Sequence, residues 1–212
     1  MSDDAVFITV EGVEGAGKTT CLGLIEQKIR DRGRDLLVTR EPGGTPLGED
    51  LRTLLLGHRH DGMADDTELL LMFAARAEHL HAKIEPALTS GSWVLCDRFT
   101  DATYAYQGYG RGIDLQRIAA LENWVQGERR PDLTILMDLP VEVGLERAGK
   151  RSAPDRFESQ ALAFFERVRQ GYLAMAADQP QRFRVIDAAK PLADVTAQIA
   201  SVIDAFFADS AS

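Results

Sequence analysis

Cysteine is scarce in this 212-residue chain: Cys21 and Cys96 lie in separate apolar segments, with no CxxC and no Cys/His spacing. That excludes a disulfide framework and a cysteine zinc site, and it fits a reducing, cytoplasmic setting. Long hydrophobic runs are missing too. No stretch approaches the roughly 18 apolar residues needed to cross a bilayer, and the start, Met-Ser-Asp-Asp, is acidic where a signal peptide would be basic. A soluble protein with no membrane partner is expected. Positive charge is in deficit, 24 Lys and Arg against 33 Asp and Glu, for a formal net charge of -9. General adhesion to nucleic acid is therefore disfavoured, and an anionic ligand has to be captured by a local site. No linker, internal repeat or low-complexity tract interrupts the chain, so one domain spanning 1–212 is expected; its 45% hydrophobic and 27% charged residues suit a globular fold.

Strand and helix signals alternate from end to end. Val6 to Val10 is a β-branched run, followed by glycines and then by Cys21, Leu22, Leu24, Ile25 and Ile29 at helical spacing. Leu36 to Thr39 reads as a strand leading into the turn Glu41-Pro42-Gly43-Gly44, with a helix over Pro46 to Leu56. Asp65 to Leu88 has a long helical pattern, with Asp65 or Asp66 as N-cap, Pro86 as a kink or end, and Gly91 as the stop. Further strands are expected at Trp93 to Asp97, Leu133 to Met137 and Phe183 to Ile186. Helices are expected at Asp114 to Gln126, Val141 to Ala148, Phe157 to Ala177 and Val195 to Phe207. The near-continuous hydrophobicity of Leu133 to Met137 implies burial on both faces of a parallel sheet, and hence a three-layer α/β domain.

Gly12-Val13-Glu14-Gly15-Ala16-Gly17-Lys18-Thr19 fits GxxxxGK[ST] between a strand and a helix. Glycines there let backbone N–H groups and the helix dipole face nucleotide phosphates; Lys18 adds a point charge, and Thr19 a hydroxyl for magnesium. Residues 12 to 20, through Thr20, are thus the expected ATP-binding loop. The guanine-reading Asn-Lys-x-Asp motif of a GTPase is missing. A motor or DNA-handling ATPase would need more chain, which leaves a small-molecule kinase.

The remaining candidates lie at strand ends. Asp97 follows a strand and is placed to hold magnesium through water, with Arg98 beside it to clamp a receiving phosphate. Arg40 ends another strand and reaches the same place or stays on the surface. Arg76, in the apolar stretch Met72-Phe73-Ala74-Ala75-Arg76, either finds a partner such as an aromatic base or lies on the solvent face. Thr103, Tyr104, Tyr106 and Gln107 read as ordinary packing or as a pocket's lining. Gly149 to Arg156 is polar and basic, a segment suited to a lid over about 148–157. The histidines form two His-x-His pairs, His58/His60 and His79/His81, read as surface residues and not as metal ligands.

Together EGVEGAGKTT, TREPGGT, the MFAAR helix, DRF with AYQG behind it, the basic segment and VIDA resemble the bacterial thymidylate kinases among the P-loop nucleoside monophosphate kinases. The likeness spans nearly the whole chain. It implies a five-stranded parallel sheet in a P-loop NTPase fold, a homodimer, and transfer of the γ-phosphoryl of ATP to dTMP with Mg2+. By the same resemblance Arg76 bonds the thymine carbonyl, Thr103 meets the N3 edge with Gln107 in support, and Tyr106 crowds the ribose 2′ position. Glu14 lies near the acceptor's sugar and phosphate, and Arg98 and Arg40 are acceptor-side arginines. The stacking aromatic of the family aligns with Met72, with Phe73 one position later, and Ala102 replaces a common serine. Gly15 stands where the eukaryotic type has an arginine, so Arg147, Lys150, Arg151 and Arg156 of the lid are expected to supply the missing charge. Asp155 and Glu158 are expected sugar or magnesium contacts.

Overall fold

The computed structural model describes residues 5–57, 62–149, 156–157 and 160–209. Five strands, β1 (Phe7–Glu11), β2 (Leu36–Arg40), β3 (Trp93–Asp97), β4 (Leu133–Asp138) and β5 (Phe183–Asp187), form one parallel sheet in the order β2-β3-β1-β4-β5. The central β1 is buried throughout and the edge strands β2 and β5 are only partly covered, which is why the central strands read as unbroken apolar runs.

Helices cover both faces: α1 (Lys18–Asp31), α2 (Pro46–Leu56), α3 (Asp65–His79), α4 (Glu85–Thr89), α5 (Thr100–Thr103), α6 (Leu115–Gln126), α7 (Val141–Gly149), α8 (Leu162–Asp178) and α9 (Leu192–Asp209). Side chains alternate across the sheet with the period of two that a strand imposes. Ile8, Val10 and Leu95 join Ile25 and Ile29 of α1 and Ile199 and Ile203 of α9, whereas Phe7, Val94 and Cys96 meet Leu80, Ile84 and Leu88 on the other side. Each such fully buried side chain stabilises the fold by about 1.5–3 kcal/mol.

Three expectations are corrected, and one element is added. The N-cap of α3 is Ala64, with Asp65 and Asp66 inside its first turn, where their charges favour the helix dipole. The Asp65 to Leu88 pattern is one helical course, but it passes through a wide π-helical turn at Leu80–Ile84 before α4. Pro86 falls in the first turn after it, where its missing N–H costs little. Helix α8 starts at Leu162, not Phe157, because Arg156 and Phe157 form a turn pinned against α2 and α3. After β3 the chain goes into α5 and then a π-helical stretch, Tyr104–Gly110, that the sequence pattern did not suggest. Parallel strands bring the carboxyl ends of β1, β2 and β3 to one edge, so the residues following them share one cleft.

Candidate active site

The 12–17 loop leaves fully buried β1 and enters α1 through Gly17, whose left-handed φ of 86° turns the chain into the helix. No acidic residue stands in the first turn of α1 to compete with an anion. At Gly15, φ is 73° and an added Cβ would lie 1.9 Å from the Gly144 carbonyl of α7. The loop is therefore pressed directly on that helix. Lys18 curls back, its Nζ donating to the Gly12 and Val13 carbonyls at 2.9 and 3.1 Å. Burial first, and the Arg98 guanidinium second, pull this ammonium down to about 8, against the opposing charges of Glu14, Asp97 and Glu11.

A cleft opens beside the loop, lined by Glu14, Met72, Arg76, Arg98, Thr103, Tyr106 and Gln107 among the sites foreseen, with apolar walls and a few convergent polar groups as small-ligand sites have. Arg98 has φ of 66°, a left-handed conformation that costs a non-glycine residue on the order of 1 kcal/mol. Its N–H is tied to the Val10 carbonyl, and the next N–H, of Phe99, donates to Glu11 Oε1 at 2.7 Å. This turn sends the guanidinium to Glu14, at 2.7 Å, and to the Tyr106 hydroxyl. Tyr106 itself donates to Glu14 at 2.7 Å; burial, then the Glu14 charge, push its phenol well above the ordinary value.

Arg76 is buried at 2% exposure, so it is not on the solvent face of its helix. Its Nε donates to Glu41 Oε2 at 2.8 Å and its Nη2 to Thr103 Oγ1 at 2.9 Å. Gln107 donates to Glu68 at 2.8 Å. Met72 lines the cleft, whereas Phe73 turns into the core with Leu69, Ile113 and Ile118.

Other foreseen residues sit elsewhere. Arg40 is exposed and paired with Glu49 at 2.8 Å, outside the cleft lining. Arg147 donates to the Ala188 carbonyl at 3.0 Å and borders a second hollow with Ala16, Gly17, Thr20 and Lys190. Arg156 departs from its expected place over the phosphates: it is buried, bound to Glu68 and the Leu55 carbonyl. Glu68, itself fully buried, needs a cation, and Arg156 with Arg111 supplies it. Lys150, Arg151, Asp155 and Glu158 lie outside the described residues, as do His58 and His60. His79 is another correction, since it is wholly buried and bonds Glu41 and Thr39, while His81 is exposed.

Sequence reasoning missed Glu41, Pro42, Arg52, Leu56, Phe99 and Phe157, which complete the cleft wall. Arg52 was detectable: it lies three and four residues before Leu55 and Leu56, on the same helical face. Among the described residues, the buried side-chain polar atoms left without a partner are Arg76 Nη1, Arg98 Nε and Asp97 Oδ1. All three are at the sheet's carboxyl edge. Thr19 lies exposed at the start of α1.

The family model for thymidylate kinase matches residues 10–199. A thymidylate kinase of Pseudomonas entomophila is 60% identical over 198 residues, 93% of this chain and 94% of its own length. One from Alcanivorax borkumensis is 58% identical, over 93% of this chain and 95% of its own. A crystal structure of the thymidylate kinase from Ehrlichia chaffeensis superposes with a TM-score of 0.76 at 35% identity, covering 94% of this chain and 98% of that one. With the phosphate loop and the adjoining cleft in the same parallel sheet, these matches show that the chain belongs to the thymidylate kinase family.

Proposed function

We propose that this chain transfers the γ-phosphoryl group of ATP to dTMP, giving ADP and dTDP, with the donor on the 12–20 loop and the acceptor in the adjoining cleft. The observation that carries the acceptor assignment is the pair of unsatisfied buried donors, Arg76 Nη1 and Arg98 Nε, on two residues that line the same cleft. A buried donor without a partner costs about 1–3 kcal/mol, which a ligand offering an acceptor to each recovers. A thymine carbonyl suits the first and a phosphate the second.

In this reading an oxygen of the dTMP phosphate attacks the γ-phosphorus as the bond to the β-phosphate bridging oxygen breaks, and that oxygen leaves with ADP. The phosphate needs no general base, so alignment and charge neutralisation carry the catalysis. Lys18 leaves the loop carbonyls for the migrating group; Arg98 holds the acceptor phosphate; Glu14 and Tyr106 flank the sugar; Met72 covers the thymine face, with Thr103 and Gln107 at its edge. Arg147 and Arg151 supply charge on the donor side, where Arg147 already borders the loop. Arg40 has no part in the cleft in this reading.

Asp97 Oδ1 is an unpartnered buried acceptor near Lys18, and it and the Thr19 hydroxyl at the start of α1 are oxygen donors of the kind Mg2+ takes. Such an ion would supply charge neutralisation for the reacting phosphates when bound. We read residues 1–212 as one kinase domain, acting on free nucleotides in the cytoplasm, where Cys21 and Cys96 stay as the free thiols they are. A homodimer is supported by the exposed apolar stripe Leu70, Ala74 and Ala77 on α3 and by Trp124 on α6.

Release of ADP measured with dTMP, dUMP, AMP, CMP and thymidine as acceptors tests the assignment; dTMP is expected to be the best by a wide margin. Arg76→Ala is expected to weaken dTMP binding by about 1.5–3 kcal/mol and leave ATP binding unchanged in calorimetry. Equal weakening of both nucleotides would remove Arg76 from the acceptor pocket.

A further inference from the structure

Resting on the acceptor pocket proposed above, we propose that His79 and Glu41 are positioning residues for base recognition, a relay that fixes the Arg76 guanidinium. Five side chains form an unbroken line from β2 to α5. Thr39 Oγ1 and His79 Nε2 are 2.6 Å apart, His79 Nδ1 and Glu41 Oε1 3.0 Å, and Glu41 Oε2 and Arg76 Nε 2.8 Å, after which Arg76 Nη2 reaches Thr103. Glu41 as a carboxylate only accepts, so Nδ1 carries the proton on that side and donates it to Glu41. The line is sealed. His79 is fully buried, Glu41 5% exposed, and at Gly44 an added Cβ would lie 2.6 Å from His79 Nε2.

The physical reason lies in the length of the arginine. Its guanidinium ends a chain of rotatable bonds, and a specific contact to a base edge requires that freedom to be removed beforehand. Glu41 holds the Nε edge and Thr103 holds Nη2, leaving Nη1 as the nitrogen without a protein partner. The rings of Phe73 and Phe99 lie 4.9 and 5.1 Å from Arg76 Cζ. A carboxylate bonded through one oxygen alone could still pivot; His79 takes the other oxygen and stops it. Stability alone is a weak reason to bury such a set, since apolar residues of similar volume often do as well as a buried ion pair.

The test uses two amides that copy different ring nitrogens. His79→Asn places an amide N–H near the Nδ1 position, toward Glu41; His79→Gln places it near Nε2 and leaves Glu41 Oε1 without its donor. KM for dTMP, KM for ATP, kcat and the melting temperature are measured for both, for Glu41→Gln, and for Arg76→Ala alone and combined with His79→Gln. His79→Gln and Glu41→Gln are expected to raise KM for dTMP about five- to fiftyfold, with kcat and KM for ATP within about twofold. His79→Asn is expected within about threefold of the parent, and His79→Gln to add less than about twofold once Arg76 is Ala.

A folded His79→Gln with unchanged KM for dTMP, or one whose two KM values rise alike, overturns the relay. So does a folded His79→Asn no better than Gln, or a full effect persisting without Arg76. Should His79→Gln not fold, Glu41→Gln in the same cycle with Arg76→Ala decides. If Arg76→Ala itself leaves KM for dTMP unchanged, the acceptor pocket reading fails; if only the His79 and Glu41 variants are silent, the relay alone fails.

Discussion

Glu11 is the residue on which the two halves of the cleft hang. It ends β1 fully buried, takes the Phe99 N–H on one oxygen and the Tyr172 hydroxyl of α8 on the other, at 2.7 and 2.8 Å, and so braces the turn that aims Arg98. Burial first, and then the Asp101 charge, push its carboxyl up from 4.5 to about 8, while the two hydrogen bonds and Arg98 pull it back. In the unfolded chain the same group titrates near the lower value. Between the two the folded protein holds a proton that the unfolded chain releases, so the stability from this group is complete below about pH 4.5 and is lost as pH rises through about 8. Lys18, lowered to about 8, changes its share only above that pH. Glu11→Gln keeps an acceptor for Phe99 and is expected to flatten the fall in unfolding free energy between about pH 5 and 8 by on the order of 1 kcal/mol or more. Urea titrations across that range read it, and an unaltered pH slope would mean other groups carry it.

Helix α7 is the element that sets the phosphate loop. Its Gly144 leaves no room for a side chain: a Cβ there would stand 2.5 Å from the Glu14 carbonyl, and one at Gly15 would meet the Gly144 carbonyl closer still. Gly144→Ala is expected to displace the loop, with an overpacking cost of about 1–3 kcal/mol. KM for ATP is expected to rise at least about tenfold, because the loop's N–H groups lose their alignment on the donor phosphates. Gly15→Ala is expected to be worse, since its φ of 73° disfavours any side chain. Steady-state kinetics beside melting curves separate the loop effect from unfolding; unchanged KM for ATP in Gly144→Ala would show that the contact yields without cost.

Across the whole molecule, α3 and α6 carry large apolar side chains on the surface outside the cleft lining. Leu70 is 55% and Trp124 82% exposed. The Asp66–Arg117 pair at 3.0 Å ties α3 to α6 on that side, with Trp124 two helical turns along from Arg117. A second copy of the chain covering this surface would bury both side chains. Leu70→Asp, which would put a charge in that contact, is expected to weaken self-association at least about a hundredfold, read by sedimentation at micromolar protein. A Leu70→Asp protein that sediments like its parent would place the contact elsewhere.

The sequence by itself determined the layered α/β architecture, the phosphate loop and most element positions, because these follow from short-range signals: glycine spacing, β-branched runs and helical periodicity. It also placed Arg98, Tyr106 and Thr103 near one another through a family likeness. On α3 the same likeness brought Arg76 and Met72 to the pocket, but nothing in the sequence showed the burial of Glu68 and His79. Glu68, Met72, Arg76 and His79 share one helical face, so three ionisable residues point inward together, but their partners Glu41, Thr103, Gln107 and Arg156 come from distant segments. A helical stripe of polar residues reads as solvent-facing until something is shown to cover it. Only the tertiary structure, by packing the end of β2, the π-helical turn and the root of the basic segment against that face, decided that His79 is buried, that Met72 rather than Phe73 meets the cleft, and that Arg156 is bound away from the phosphates. Local propensity fixes which way a chain folds, but the burial of a charge depends on which opposite charges the fold brings to it.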